Sequence, residues 1–194
     1  MVIELADFGW EYFGRIEVHK PISKLALSTA QFGLQNGIAN QQGQVNRVVA
    51  KAMLGFALLH GIDTLDAAIA YGESETCLGK VGAQRFRIIT KLPSLPENCL
   101  DVGSWVREQV SGSLARLGVS AVFGLLLHRP EQLLGYNGKK LYPVLLALND
   151  SGNVQKVAIS IYSANELPEL TKRFQFDIVQ APFNLVDQRL HTTG

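Results

Sequence analysis

The chain has 194 residues, 47% of them hydrophobic, which is ample for a packed core and sets aside disordered and low-complexity classes. Lys and Arg number 18 against 17 Asp and Glu, a net charge of +1. They are mixed along the sequence with no basic block, so nucleic acid is not an expected partner. The N-terminal stretch MVIELADFGWEYFG carries acids where a secretory signal carries bases, and no apolar run approaches the ~20 residues of a membrane span. Cys77 and Cys99 stand in no metal or CxxC spacing and read as reduced thiols. A cytoplasmic protein that is neither metal-binding nor membrane-bound is the expectation.

Residues 1–23 stand outside the pattern that follows; WEYFGRIEVHKPISK reads as a hairpin or arm closing a barrel floor. The first strand is placed at 24–30 (KLALSTA), ahead of a Gly-rich loop. A helix then opens at Asn46, a good N-cap, and stops near Gly61. Strand 62–66, a short helix at 73–82 and strand 86–91 come next. Helix 101–117 is closed by Gly118, and strand 121–127 follows. Helix 139–149 contains Pro143, which is tolerable only in a first turn. Strand 154–161, helix 164–173 and strand 177–180 complete the series.

Strand and helix thus alternate six times, and the strands are near-continuous apolar runs, as in a parallel sheet buried on both faces. The glycines of the first loop (Gly33, Gly37, Gly43) do not form GxGxxG, and no GxxxxGK[ST] occurs. The expected fold is α/β, of (β/α)8 TIM-barrel type, truncated after about six β/α units, with residues 1–194 as one C-terminally incomplete domain.

In such a barrel reactive groups collect where strands end. Asp66 ends the second strand with Tyr71 just beyond it, Lys91 ends the third and His128 the fourth; Ser160 and Gln180 end the fifth and sixth. By alternation Thr64 and Asp66 share a face, as do Ile89 and Lys91, and Leu126 and His128. Each residue alone has an ordinary explanation as a cap, a solvated side chain or a packing group. Their joint occurrence is what matters. A buried Asp needs a cation, and Lys supplies one. An ammonium beside a phenol favours the phenolate, so the tyrosine yields its proton more readily to a developing alkoxide.

The segments LSTAQFGLQNGIAN, GIDTLDAAIAYGESETCLG, IITK, LLLH, AISIYS and DIVQAPFNLVDQR resemble the aldo-keto reductases, one after another and in the family's order. The strand-one segment is most similar to bacterial members reading GTAQFGxxYGIxN. The resemblance implies an oxidoreductase that reduces an aldehyde or ketone to an alcohol with NADPH. The implied catalytic set is Tyr71 as general acid, Lys91 held by Asp66, and His128 orienting the carbonyl. Thr29, Asp66, Ser160 and Gln180 match cofactor-site positions, Ser160 and Gln180 those that hold the carboxamide. Ser28 stands where the family has Gly, Ala67 where it has Thr, and Ala158 and Ile161 where GVSN has Gly and Asn. The loss of that Asn removes one expected carboxamide contact. The alternative is a non-catalytic scaffold or regulatory subunit that keeps the fold. A sheet of six strands that does not close leaves its first and last strands as edges, so self-association is expected, and the chain on its own is expected to be inactive.

Overall fold

A computed structural model describes residues 2–3, 24–37 and 40–189. Its elements are β1 (Val2–Ile3), β2 (Leu27–Ser28), α1 (Arg47–Leu59), β3 (Thr64–Asp66), α2 (Ser74–Val81), β4 (Arg87–Leu92) and α3 (Val102–Leu117). They continue with β5 (Val122–Leu127), α4 (Gly138–Asp150), β6 (Val154–Ser160), α5 (Leu167–Thr171) and β7 (Ile178–Ala181). The sheet order is β1-β7-β6-β5-β4-β3-β2, and every pair from β2 to β7 is parallel. Six parallel strands with helical crossovers make a curled half-barrel, the arrangement the alternation implies.

Local chemistry sets the helix limits. The Asn46 carboxamide oxygen accepts from the Val49 N–H at 3.0 Å and opens α1, and Asp101 does the same for α3 through Ser104 N at 2.9 Å. Gly82 and Gly118 end α2 and α3 in the left-handed region, at φ 101° and 68°. The stretch expected as helix 164–173 is a 3-10 turn at Ala164–Glu166, capped by Ser163, running into α5.

Several expectations need correction. Strand 24–30 shrinks to Leu27–Ser28, because among the described residues it has a ladder partner on one side only, with Leu27 opposite Leu65 and Ser28 opposite Asp66. Pro143 lies beyond the first turn of α4, whose start at Gly138 puts Lys139 four residues before it; the carbonyl of Lys139 receives no N–H from the proline. The last parallel strand is not an open edge: Val2 and Ile3 pair antiparallel with Ala181 and Gln180. The hairpin read at 10–24 falls almost wholly outside the described residues.

The core has two parts. A large cluster lies between the sheet and its helices, around Leu65, Leu78, Val106, Leu117, Leu125, Leu141 and Ile159. A small one, Ile89, Leu126, Ala158 and Ile178, fills the concave side of the curl. Each member of that second cluster lies two residues before a polar strand end: Lys91, His128, Ser160 and Gln180. Period-two alternation therefore turns all four polar residues toward the same concave face.

Candidate active site

Asp66 and Lys91 are 3% and 2% exposed, and Lys91 Nζ donates to the Asp66 carboxylate at 2.5 Å. A buried ion pair survives only when its remaining polar atoms are also used. Here they are. Lys91 donates to the Ala67 carbonyl at 3.0 Å and reaches the Tyr71 hydroxyl at 3.4 Å, and the Gln180 amide donates to Asp66 at 3.1 Å. Ser160 donates to Gln180 Oε1 at 3.4 Å. The His128 ring stands edge-on to Tyr71, centroids 6.5 Å apart. Burial first, then the charges of Lys91 and Arg129, hold His128 below its ordinary 6.5. The ring is therefore neutral at pH 7 and carries a single N–H to donate.

These groups border one cavity of about 360 Å³, whose walls include Ser28, Asp66, Tyr71, Lys91, His128, Ser160 and Gln180. Ile161, Tyr162 and the turn 182–184 complete its rim. A recess of similar size, about 370 Å³, lies apart from it around Arg47, Glu73 and Cys77. There burial pushes the Cys77 thiol above its ordinary value, which keeps it protonated and poorly nucleophilic. The convergent polar groups mark the first cavity as the site.

Of the residues singled out from the sequence, Asp66, Tyr71, Lys91, His128, Ser160 and Gln180 come together around this cavity. Thr29 does not. It is fully buried, its hydroxyl donates to the Asp66 carbonyl at 3.0 Å and accepts from Ser74, and Ser28 takes the place in the cavity wall.

The loop that presents Tyr71 is set by backbone contact. A Cβ at Gly33 would lie 1.8 Å from the Tyr71 carbonyl oxygen, and Gly72, at φ 54°, faces the Gly33 carbonyl in turn. Tyr71 accepts the Ser74 N–H at 3.0 Å, while the Ser74 hydroxyl donates to the Thr29 carbonyl at 2.8 Å.

Sequence reasoning passed over Glu75, which is 1% exposed. Its carboxylate accepts from Thr90, Ser113 and both Arg116 donors, at 2.6–3.0 Å. It also passed over the rim residue Tyr162, over whose ring Arg129 lies at 5.5 Å. The available signal was position: Glu75 sits within the YGESE run, and Arg129 and Tyr162 each follow a strand end closely.

Chemically, the cavity can donate a proton from Tyr71, neutralise the phenolate left behind with Lys91, and hold an oxygen with His128. Among the described residues no group of His, Cys, Asp and Glu is placed to hold a metal, and no helix is long and apolar enough to cross a membrane.

The sequence matches the model of the aldo/keto reductase family over residues 24–194. No curated protein matches it. Among solved structures, it is similar to a Pseudomonas aeruginosa protein assigned to the aldo-keto reductases, with a TM-score of 0.72 and 23% identity, covering 91% of this chain and 72% of that one. An aldo-keto reductase from Bacillus halodurans in its holo form matches at TM-score 0.70 and 19% identity, over 88% of this chain and 57% of that one. A glycerol dehydrogenase from Gluconobacter oxydans matches at TM-score 0.64 and 23% identity, over 91% and 56%. The chain thus spans between about half and three-quarters of the length of these structures.

Proposed function

The chain belongs to the aldo/keto reductase family, and on that premise we propose that its strand-end cavity reduces an aldehyde or ketone to an alcohol, with Tyr71 as the general acid. The observation that carries this reading is Lys91, whose ammonium lies between the Asp66 carboxylate and the Tyr71 hydroxyl. His128 donates a hydrogen bond to the substrate oxygen and turns it toward Tyr71. As negative charge grows on that oxygen, the Tyr71 proton moves to it, and Lys91 stabilises the phenolate that remains. Asp66, held by Lys91 and Gln180, keeps the ammonium aimed at Tyr71 and balances its charge.

Hydride for the carbonyl carbon is the chemistry a bound dihydronicotinamide supplies, and NADPH is the form the family resemblance implies. The donor set suits the nicotinamide end. Ser160 and Gln180 border the cavity side by side, and the Ser160 oxygen retains lone pairs for a carboxamide N–H. Ile161 offers that carboxamide no side-chain hydrogen bond.

The test is a single substitution, made in a polypeptide that carries this segment at the full length of its structural relatives. Tyr71→Phe keeps the ring and removes the proton. We expect kcat for aldehyde reduction to fall by about 10²–10⁴, the ordinary contribution of a general acid, while NADPH affinity changes little. Equal rates for variant and parent would remove Tyr71 from the acid role.

A further inference from the structure

We propose that Arg129 and Tyr162 form a lip that selects carbonyl substrates carrying a carboxylate over neutral ones. The inference rests on the reading above, that the cavity is where a carbonyl is reduced. It names the class of substrate.

Arg129 directly follows His128, so it leaves β5 at the mouth of the cavity. Its backbone is fixed there, because its carbonyl accepts from Gln132 N at 3.3 Å and from the Gln132 side chain at 2.8 Å. The guanidinium carbon lies 5.5 Å from the centroid of the Tyr162 ring, and Tyr162 belongs to the cavity wall. A guanidinium stacked on an aromatic face keeps its N–H groups in their own plane, free to meet a carboxylate through two parallel hydrogen bonds. Arg87, Arg116 and Arg189 already spend that fork on Asp63, Glu75 and Asp187. Arg129 forms no ion pair among the described residues and is exposed.

The acids on the cavity side are engaged elsewhere, while Glu131, two residues after Arg129, is exposed and forms no ion pair with it. Asp66 is the one acid in the cavity wall, and Lys91 neutralises it. Behind Tyr162, Glu166 accepts the backbone N–H groups of Tyr162 and Ser163 at 3.1 and 2.7 Å. Beyond the 182–184 turn, Asp187 is held by Arg189 at 2.7 Å. Arg129 therefore sets a positive charge that no acid pairs among the described residues beside the residue that receives the carbonyl oxygen. Its presence is felt at His128, where Arg129 is one of the charges that disfavour protonation.

The experiment compares 4-carboxybenzaldehyde with methyl 4-formylbenzoate, an aldehyde of similar shape without the charge, by calorimetric titration of this chain. The acid is expected to bind about tenfold tighter than the ester, 1.4 kcal/mol at 25 °C, with the difference shrinking as salt is raised. Arg129→Gln is expected to bring the acid down to the ester's level, and Arg129→Lys to restore part of the gap. Equal binding of the two compounds, a preference that survives Arg129→Gln, or no binding of the acid at millimolar concentration would each overturn the lip. The titration needs no turnover, so it fails or succeeds separately from the Tyr71→Phe rate measurement, which judges the catalytic reading.

Discussion

His128 stands edge-on to Tyr71 at the cavity, and its own titration couples the site to stability. With a folded-state value below the ordinary 6.5, His128 takes up a proton less readily in the folded protein than in the unfolded chain. The unfolded state binds more protons in that interval, so stability falls as pH drops through 6.5 and reaches its full deficit below the folded value; well above 6.5 the effect is absent. Urea unfolding at pH 7.5 and pH 5 should therefore show a larger acid loss for the parent than for His128→Gln. Identical losses would mean that His128 is not the group titrating. This residue was legible in the sequence, as were Lys91, Ser160 and Gln180, because each ends a strand whose preceding inward residue is apolar; Asp66 follows a buried Thr64 and was legible as the acid that ends its strand. Thr29 came from the family resemblance, and alternation says nothing of it. On a strand of two paired residues alternation gives little phase, and the side chain turns to the Asp66 carbonyl and Ser74, away from the cavity.

Elements are tied to the site through Glu75, a connection no spacing rule reveals. From the first turn of α2 it reaches Thr90 on β4, beside Lys91, and Ser113 and Arg116 on α3. A carboxylate this buried is stable only while its partners remain. Arg116→Ala should cost about 3 kcal/mol in chemical denaturation, at the low end for breaking a buried pair, since the arginine side chain is itself 37% exposed. Arg116→Lys should recover part of that loss, and an alanine variant within 0.5 kcal/mol of the parent, the scale of an ordinary surface substitution, would contradict the account. The first four helices were readable to within a residue or two because caps are local: Asn46 and Asp101 satisfy their own first turns, and Gly118 ends its own helix. Pro143 lies inside α4 although the helix starts within one residue of its expected place: Leu141, Leu145 and Leu148 are buried on one face, and the core tolerates one missing backbone bond.

At the scale of the whole molecule the two sides of the sheet differ. β7 has β1 along its outer edge, whereas β2 at the opposite end of the sheet is short, and α1, which follows it in the chain, has Val48, Phe56 and Leu59 at 80%, 64% and 77% exposure. Burying such side chains is worth about 1.5–3 kcal/mol each, so we expect this chain to self-associate on its β2–α1 side. Phe56→Glu should lower the mass found by light scattering, and a parent that is already monomeric would refute the expectation. The same chain should hold NADPH weakly. Ser160 and Gln180 offer neutral contacts of about 0.5–1.5 kcal/mol each, against an association cost of about 4–15 kcal/mol, which predicts a Kd weaker than about 1 mM by NADPH fluorescence. Overall architecture was the most legible level, since six parallel strands follow from six alternations; the pairing of Val2 and Ile3 with β7 was not, because two residues carry no period.

That pairing also has a history in time. From β2 to β7 each strand lies beside the one made just before it, so the sheet can grow in step with synthesis. β1 emerges first and must wait for residues 180 and 181. At about 5–20 residues per second that delay is on the order of ten seconds or more. Until then Val2 and Ile3 lack the strand they pair with, and every newly finished strand in turn offers its fresh edge to whatever else is at hand.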